Sequence, residues 1–180
     1  MLYFADGRWW KWHDQGVARS ALGLTAEQVQ ARFREFAGQK VSIQGNENYE
    51  IKDPDVLILR NADTFNAGKP LCDEPNGLAT GRNSGYQAIN LAWLAGAARI
   101  VLIGYDMQGK AERMHWFGDH PLKTCPGTVA MFHNGYNNLA KHLPPGLEII
   151  NCSAETALRC FPRGDLASVL PDTAPALLSA

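Results

Sequence analysis

The stretch NSGYQAINLAWLAGAARIVLIGYDM, residues 83–107, decides the fold. Asn83 or Ser84 is suited to begin a helix, because a short side-chain oxygen accepts a hydrogen bond from an unpaired backbone N–H. The run RIVLI at 99–103 is nearly all apolar and is typical of a strand covered on both faces. The stretch therefore predicts one half of a β-α-β unit. Between its two ends, apolar residues recur on one helical stripe, at Ala88, Leu91, Ala92 and Ala95.

The polar turn before this helix and the residue after this strand are the first candidates for a binding site. Helix N-termini bind anions, because free N–H groups and the helix dipole point at the ligand. Open α/β sheets bind ligands at the carboxyl ends of their strands. Ser84 opens the predicted helix and Asp106 follows the predicted strand, so both are expected at that edge. The alternative is that Ser84 only caps the helix and Asp106 only begins a loop.

The remaining sequence predicts alternating strands and helices. Thr25 and Gln28 form a capping box at a helix start. Three tryptophans near the N-terminus are expected to pack on a sheet: Trp9, Trp10 and Trp12. The other elements are strands at 2–5, 40–44, 56–60 and 147–150, a loop at 61–82, a helix at 128–142, a short helix capped by Ser153, and a loose tail at 162–180. This order predicts an α/β domain of three layers with a mostly parallel sheet over residues 1–161.

Composition restricts the class of protein. The 180 residues carry a formal net charge of −1, which gives no indication of nucleic-acid or anionic-membrane binding. No apolar stretch reaches membrane-spanning length, and we expect neither a span nor a signal peptide. The low charged fraction, 19%, predicts that some surface is shared with a partner. The cysteines show no C-x-x-C pairing, so we interpret them as free thiols of a cytoplasmic protein: Cys72, Cys125, Cys152 and Cys160.

A second chemical cluster is MHWFGDHP at 114–121. A histidine near neutral pKa suits general-base catalysis, which makes His115 and His120 candidates. Together with Asp119 they could instead ligate a metal, although no helical i,i+4 pair is present. The third interpretation is a loop pinned by its aromatic residues, in which the histidines only form hydrogen bonds.

These motifs, in this order, resemble the bacterial CMP-sialic-acid-dependent sialyltransferases of the Campylobacter type. That family has an R-x-S-G turn, an Ala-rich helix, a strand of the form LGYKEIYLxGID and a downstream H-x-x-G-H loop. The counterparts are Arg82-Asn83-Ser84-Gly85, Ala95-Gly96-Ala97-Ala98-Arg99-Ile100, Ile103-Gly104-Tyr105-Asp106 and the histidine cluster. The pattern is also similar to a group of phage-encoded proteins, with a closer match over the whole chain.

The resemblance implies a Rossmann-like glycosyltransferase scaffold that takes a CMP-sugar donor as substrate, without a metal or other cofactor in the chemical step. Asp6 would face the donor sugar or nucleotide. Ser84, with Arg82, Asn83 and Gly85 in the same turn and Asp106 nearby, would hold the nucleotide or the sugar carboxylate. His120 would deprotonate the acceptor hydroxyl, with His115 as the second catalytic candidate.

Three departures from the family qualify these expectations. The family's glycine-rich nucleotide loop would lie upstream of Met1, and without its strand the sheet has an unpaired edge, so we expect a weak homo-oligomer. The family's phosphate-binding tyrosine pair has no match, and Lys110 and Arg113 are the candidate substitutes. The histidine spacing is one residue longer. A non-catalytic phage assembly or host-interaction module and a metal-assisted hydrolase using His115, Asp119 and His120 are therefore alternatives.

Overall fold

The computed structural model describes residues 1–5, 10, 25–44, 51–62, 69–108 and 126–170. The strands are β1 (Leu2–Phe4), β2 (Lys40–Ile43), β3 (Val56–Ala62), β4 (Gly77–Ala79), β5 (Arg99–Leu102) and β6 (Glu148–Asn151). The helices are α1 (Ala26–Glu35), α2 (Ser84–Leu94), α3 (Pro126–Lys141) and α4 (Leu166–Val169).

The described strands pair in parallel throughout. β1, β2, β3 and β4 form one sheet in that order, and β5 pairs with β6. Parallel strands require crossover connections, and helices fill them here: α1 joins β1 to β2, α2 joins β4 to β5, and α3 lies between β5 and β6. The predicted α/β class with a mostly parallel sheet is confirmed.

Helices cover both faces of the sheet at β1. The Phe4 ring packs edge-on against Phe33 of α1, with 5.5 Å between ring centroids. The neighbouring Tyr3 hydroxyl donates a hydrogen bond of 2.7 Å to the Gln87 side-chain oxygen on α2. Successive strand residues point to opposite faces, so α1 and α2 lie on opposite sides. The three-layer arrangement is therefore confirmed.

Two predicted local features are present on the α1 side of the sheet. Thr25 accepts from the Gln28 amide at 3.2 Å, and the Gln28 side chain accepts from the Thr25 amide at 2.8 Å, so the predicted capping box is present. Trp10 stacks on Phe4 and packs edge-on against Phe33, as predicted. Trp9 and Trp12 lie outside the described residues.

The buried face of α2 differs from the predicted stripe. It consists of Tyr86, Gln87, Ile89, Asn90 and Leu91, so only Leu91 belongs to both sets. Two of the buried side chains are polar, and both are hydrogen-bonded as burial requires. An analysis of apolar periodicity alone places such residues on the solvent face, which explains the error.

Asn90 shows what this burial achieves. Its side-chain oxygen accepts from the amides of Cys72 and Ala79, at 2.9 and 2.8 Å, and its side-chain nitrogen donates to the Cys72 carbonyl at 2.9 Å. One fully buried amide therefore joins α2 to β4 and to the segment before it.

Two strand predictions required correction. The predicted loop at 61–82 contains the end of β3 and all of β4, because a three-residue strand is too short to show a period. The predicted strand at 99–103 ends at Leu102, and Ile103 is 60% exposed rather than covered on both faces.

The chain after β6 is more ordered than the sequence indicates. Ser153 caps no helix; it is fully buried, and its hydroxyl accepts from the Tyr105 amide at 2.8 Å. The short helix is α4, capped by Asp165. Residues 162–170, assigned to a loose tail, include α4 and flank β6 through bonds from the Asn151 amide to Pro162 and from Gly164 to the Asn151 carbonyl. Residues 171–180 lie outside the described residues.

Two further expectations concern the described residues as a set. The three cysteines among them, Cys72, Cys152 and Cys160, are free thiols, as predicted. Over the same ranges, no helix has both the length and the apolar character needed to cross a bilayer.

Candidate functional site

Three segments meet at the carboxyl ends of β4 and β5. The first, which we name the α2 turn, comprises residues 80–85 and joins β4 to α2. The second, the β5 loop, comprises residues 103–108. The third is α3, in which Met131, His133 and Tyr136 each contact one of the other two segments.

The α2 turn contains two consecutive residues in the left-handed region. Gly81 has φ 47° and Arg82 has φ 58°. At Gly81 the conformation is coupled to a close approach, because a Cβ there would lie 2.1 Å from the Tyr86 ring. At Arg82 the same conformation is strained, since left-handed backbone is unfavourable for a residue with a Cβ. Such outliers cluster at functional sites.

Asn83 caps α2. Its side-chain oxygen accepts from the Tyr86 amide at 2.9 Å, and its carbonyl accepts from the Gln87 amide at 3.3 Å. Ser84 is the first helical residue and its side chain is exposed, so of the two candidate caps the structure selects Asn83. Within the described residues, the amides of Ser84 and Gly85 have no acceptor.

Two tyrosine hydroxyls hold this first helical turn from different elements. Tyr136 of α3 donates to the Asn83 side-chain oxygen at 2.7 Å, and Tyr105 of the β5 loop donates to the Gly85 carbonyl at 2.9 Å. A Cβ at Gly85 would lie 2.8 Å from the Tyr136 hydroxyl and 2.9 Å from the Tyr105 ring. The absence of a side chain at Gly85 therefore allows both tyrosines to approach the helix start.

Burial keeps these hydroxyls protonated. It raises the pKa of Tyr105 to about 12 and that of Tyr86 to about 12. For Tyr136, burial raises the pKa further, only partly offset by the hydrogen bond to Asn83. All three side chains therefore remain hydrogen-bond donors across the neutral range.

The β5 loop is fixed from the chain after β6. The Tyr105 carbonyl accepts from the Thr156 hydroxyl at 2.6 Å, and the Asp106 carbonyl accepts from the Ala157 amide at 2.8 Å. The Asp106 side chain is exposed. Met107 follows with φ 51°, and its carbonyl lies 3.0 Å from Nε2 of His133. The loop thus presents one carboxylate to solvent on a backbone held at several points.

Positive charge at the site comes from Arg82. Its side chain is exposed, and its contact is a 3.4 Å approach to the Met131 sulfur. Across the described ranges it has no carboxylate partner, whereas Arg60 and Arg99 each pair with a glutamate, Glu74 and Glu148. A weakly hydrated guanidinium without a partner is suited to bind an anion.

The structure brings one half of the predicted site together. Arg82, Asn83, Ser84 and Gly85 form the α2 turn, and Asp106 lies in the β5 loop, which the Tyr105–Gly85 hydrogen bond joins to that turn. The remaining candidates lie outside the described residues: Asp6, Lys110, Arg113, His115, Asp119 and His120. Among the residues that are described, no three His, Cys, Asp or Glu side chains group closely enough to hold a metal.

Sequence reasoning did not assign Tyr105, His133 or Tyr136 to the site. Tyr136 has a sequence signal only for burial, since it recurs at helical spacing with Val129, Phe132 and Leu139 in the helix predicted at 128–142. Tyr105 stands directly before Asp106, and its hydroxyl, placed just after the apolar run at 99–103, is the signal that could have identified it.

No protein-family model, curated protein sequence or solved structure matches the chain.

Proposed function

We propose that the chain binds a cytidine nucleotide sugar, with its phosphate at the α2 turn, and that it acts as a sialyltransferase-like glycosyltransferase. The observation that carries the proposal is Arg82. Arg82 has strained left-handed backbone directly before the cap of α2, and its guanidinium has no carboxylate partner among the described residues. Backbone strain at an exposed charged residue indicates a functional role, which here is to place the charge for a ligand.

The surroundings of Arg82 support an anionic ligand. The amides of Ser84 and Gly85 lie at the same helix end, where the helix dipole favours negative charge. The turn also follows the carboxyl end of a parallel strand, the edge at which open α/β sheets bind ligands. A phosphate there would accept hydrogen bonds from backbone amides and from the guanidinium fork.

Transfer would require a base for the acceptor hydroxyl, and we assign that role to His120, from the resemblance in sequence. Without a general base the rate should fall by about 10²–10⁴-fold. His120→Ala is therefore expected to cut transfer by that factor and to leave nucleotide affinity unchanged. His115→Ala is the matched control and should do much less. Equal losses from both variants, with activity that depends on added zinc, would favour the metal-assisted hydrolase.

The setting proposed for this activity is a phage protein acting in the cytoplasm of a bacterial host, as a weak homo-oligomer. Sedimentation velocity across a concentration series tests the last point, because weak association appears as a rising weight-average sedimentation coefficient. A single monomer boundary at high concentration would contradict it.

Binding is tested by calorimetric titration of the full chain with CMP, CMP-sialic acid, UMP and GMP. A ligand at 100 times its Kd also raises the free energy of unfolding by about 2.7 kcal/mol, which a melting curve detects. We expect CMP and its sugar to bind and Arg82→Ala to abolish the effect. Arg99→Ala removes another exposed guanidinium, which pairs with Glu148 at the start of β5, and should leave binding intact.

If the wild-type chain binds none of these nucleotides, the proposed function is wrong. The non-catalytic assembly module is then the better interpretation. If CMP binds and no sugar is transferred, the chain binds the nucleotide but is not a transferase.

A further inference from the structure

Two hydrogen bonds from other elements hold the α2 turn against α3 and the β5 loop. The Tyr136 hydroxyl donates to the Asn83 side chain, and the Tyr105 hydroxyl donates to the Gly85 carbonyl. We propose that Tyr105 and Tyr136 are positioning residues that set phosphate recognition at the α2 turn. This inference rests on the proposed function and names the groups that determine its specificity for a phosphorylated ligand.

The two tyrosine hydrogen bonds end within three consecutive residues of the chain, 83–85. Tyr136 binds the cap residue and Tyr105 binds the second helical residue, so the two bonds flank Ser84. The amides that would contact a phosphate belong to Ser84 and Gly85. If either tyrosine bond is lost and the turn shifts, the Ser84 and Gly85 amides shift with it.

The rings of the two tyrosines are themselves fixed by packing. The Tyr105 and Tyr136 rings pack edge-on, with 6.2 Å between centroids, and both lie against Gly85. The Tyr136 ring is in turn enclosed by Tyr86 and Phe161. Because the rings are held in a packed core, their hydroxyls are fixed in space. A core that is close-packed transmits such constraints to the backbone it contacts.

Both groups that accept from the tyrosine hydroxyls also serve the helix itself. Asn83 caps the helix through the Tyr86 amide whether or not Tyr136 is present. The Gly85 carbonyl belongs to the interior of α2 and serves the helix ladder. The two acceptors therefore already have a hydrogen bond within α2, and the tyrosine bonds fix where these acceptors lie.

Tyr86 provides a matched control. Its ring packs in the same cluster, and its hydroxyl donates to the Pro70 carbonyl at 2.5 Å, away from residues 83–85. Tyr86→Phe thus removes one buried hydroxyl from the same core and leaves the hydrogen bonds to Asn83 and Gly85 in place. Any effect that arises only from loss of a hydroxyl in this core should appear in all three variants.

The experiment compares Tyr105→Phe, Tyr136→Phe and Tyr86→Phe with wild type by NMR titration of each full chain with CMP and with cytidine. The readout is the ratio of the cytidine Kd to the CMP Kd, which reports the contribution of the phosphate alone. Partial unfolding lowers both apparent affinities equally and leaves this ratio unchanged. We expect the ratio to fall by about tenfold for Tyr105→Phe and Tyr136→Phe, equivalent to about 1.4 kcal/mol, and to stay unchanged for Tyr86→Phe.

Two other outcomes are distinguishable. If wild type prefers CMP and all three variants keep that preference, or all three lose it equally, the positioning role is wrong and the proposed function stands. If wild type binds neither ligand, the proposed function and the positioning role are both overturned.

Discussion

The hydroxyl of Tyr136 lies 2.7 Å from the side-chain oxygen of Asn83, although 53 residues separate them in the chain. The same oxygen caps α2 through the Tyr86 amide. A single acceptor therefore serves both a local helix signal and a long-range tertiary contact. Its removal should affect the helix start and the core together.

Asn83→Ala is expected to lower the free energy of unfolding by about 2–4 kcal/mol. The loss combines a helix cap, worth about 1 kcal/mol, with a buried hydroxyl left without an acceptor, worth about 1–3 kcal/mol. Chemical denaturation measures it. Ser84→Ala is the neighbouring control and should change stability by less than about 0.5 kcal/mol. A larger loss at Ser84 than at Asn83 would show that the cap is misassigned.

Arg82→Gly is expected to be more stable than Arg82→Ala by about 1 kcal/mol, because glycine adopts the left-handed conformation without a Cβ clash. Both variants remove the guanidinium, so both should lose CMP binding. Melting curves and calorimetric titration of the two proteins check this pair of effects. Equal stability of the two variants would mean that position 82 carries no strain in solution.

Gly85→Ala should destabilise the chain by about 1–3 kcal/mol, because its Cβ would overlap both tyrosines. Gly127→Ala lies in the first turn of α3, where the new Cβ would have no atom of another described element within 4 Å, and is the matched control. There the better helix propensity of alanine should add up to about 1 kcal/mol. If both substitutions stabilise the protein, the close approach at Gly85 does not exist.

The stability of the fold should decrease in alkaline solution. The pKa of Tyr86 and of Tyr105 is about 12 in the folded chain, against about 10 for an unfolded tyrosine. The folded state therefore binds more protons than the unfolded state above about pH 10, and their contribution is fully present below that pH and lost as the pH rises toward 12. We expect a constant melting temperature between about pH 7 and 9 and a decline from about pH 10.

Tyr105→Phe should make this alkaline decline shallower, since it removes one of the groups responsible. Absorbance of tyrosinate near the end of the titration provides an independent measurement on the folded chain. Ionisation of all the tyrosines near pH 10 without unfolding would contradict the buried environment of the cluster.

The parts of this fold that sequence could predict are those set by local chemistry. The capping box at Thr25, the apolar run of β5 and the α2 turn each show their signal within a few neighbouring residues. The class of fold followed from the alternation of these elements. The turn could be assigned to the site because cap residues stand directly before a helix.

The parts that could not be predicted depend on distant partners. Asn90 and Gln87 read as solvent-facing until their partners on other elements are known. Ser153 read as a helix cap, whereas its acceptor role depends on the Tyr105 amide, 48 residues away. The positions of Tyr105 and Tyr136 at the site follow from how α3 packs, and no spacing in the sequence encodes that.

The buried amide of Asn90 has a consequence for the order in which the chain folds. β4 is only three residues long, and Asn90 holds it, together with Cys72, from the middle of α2. Such a short strand gains little from its own ladder, so it should join the sheet only after α2 has docked. On this basis α2 belongs to the folding nucleus, and a substitution at Asn90 should slow folding rather than accelerate unfolding.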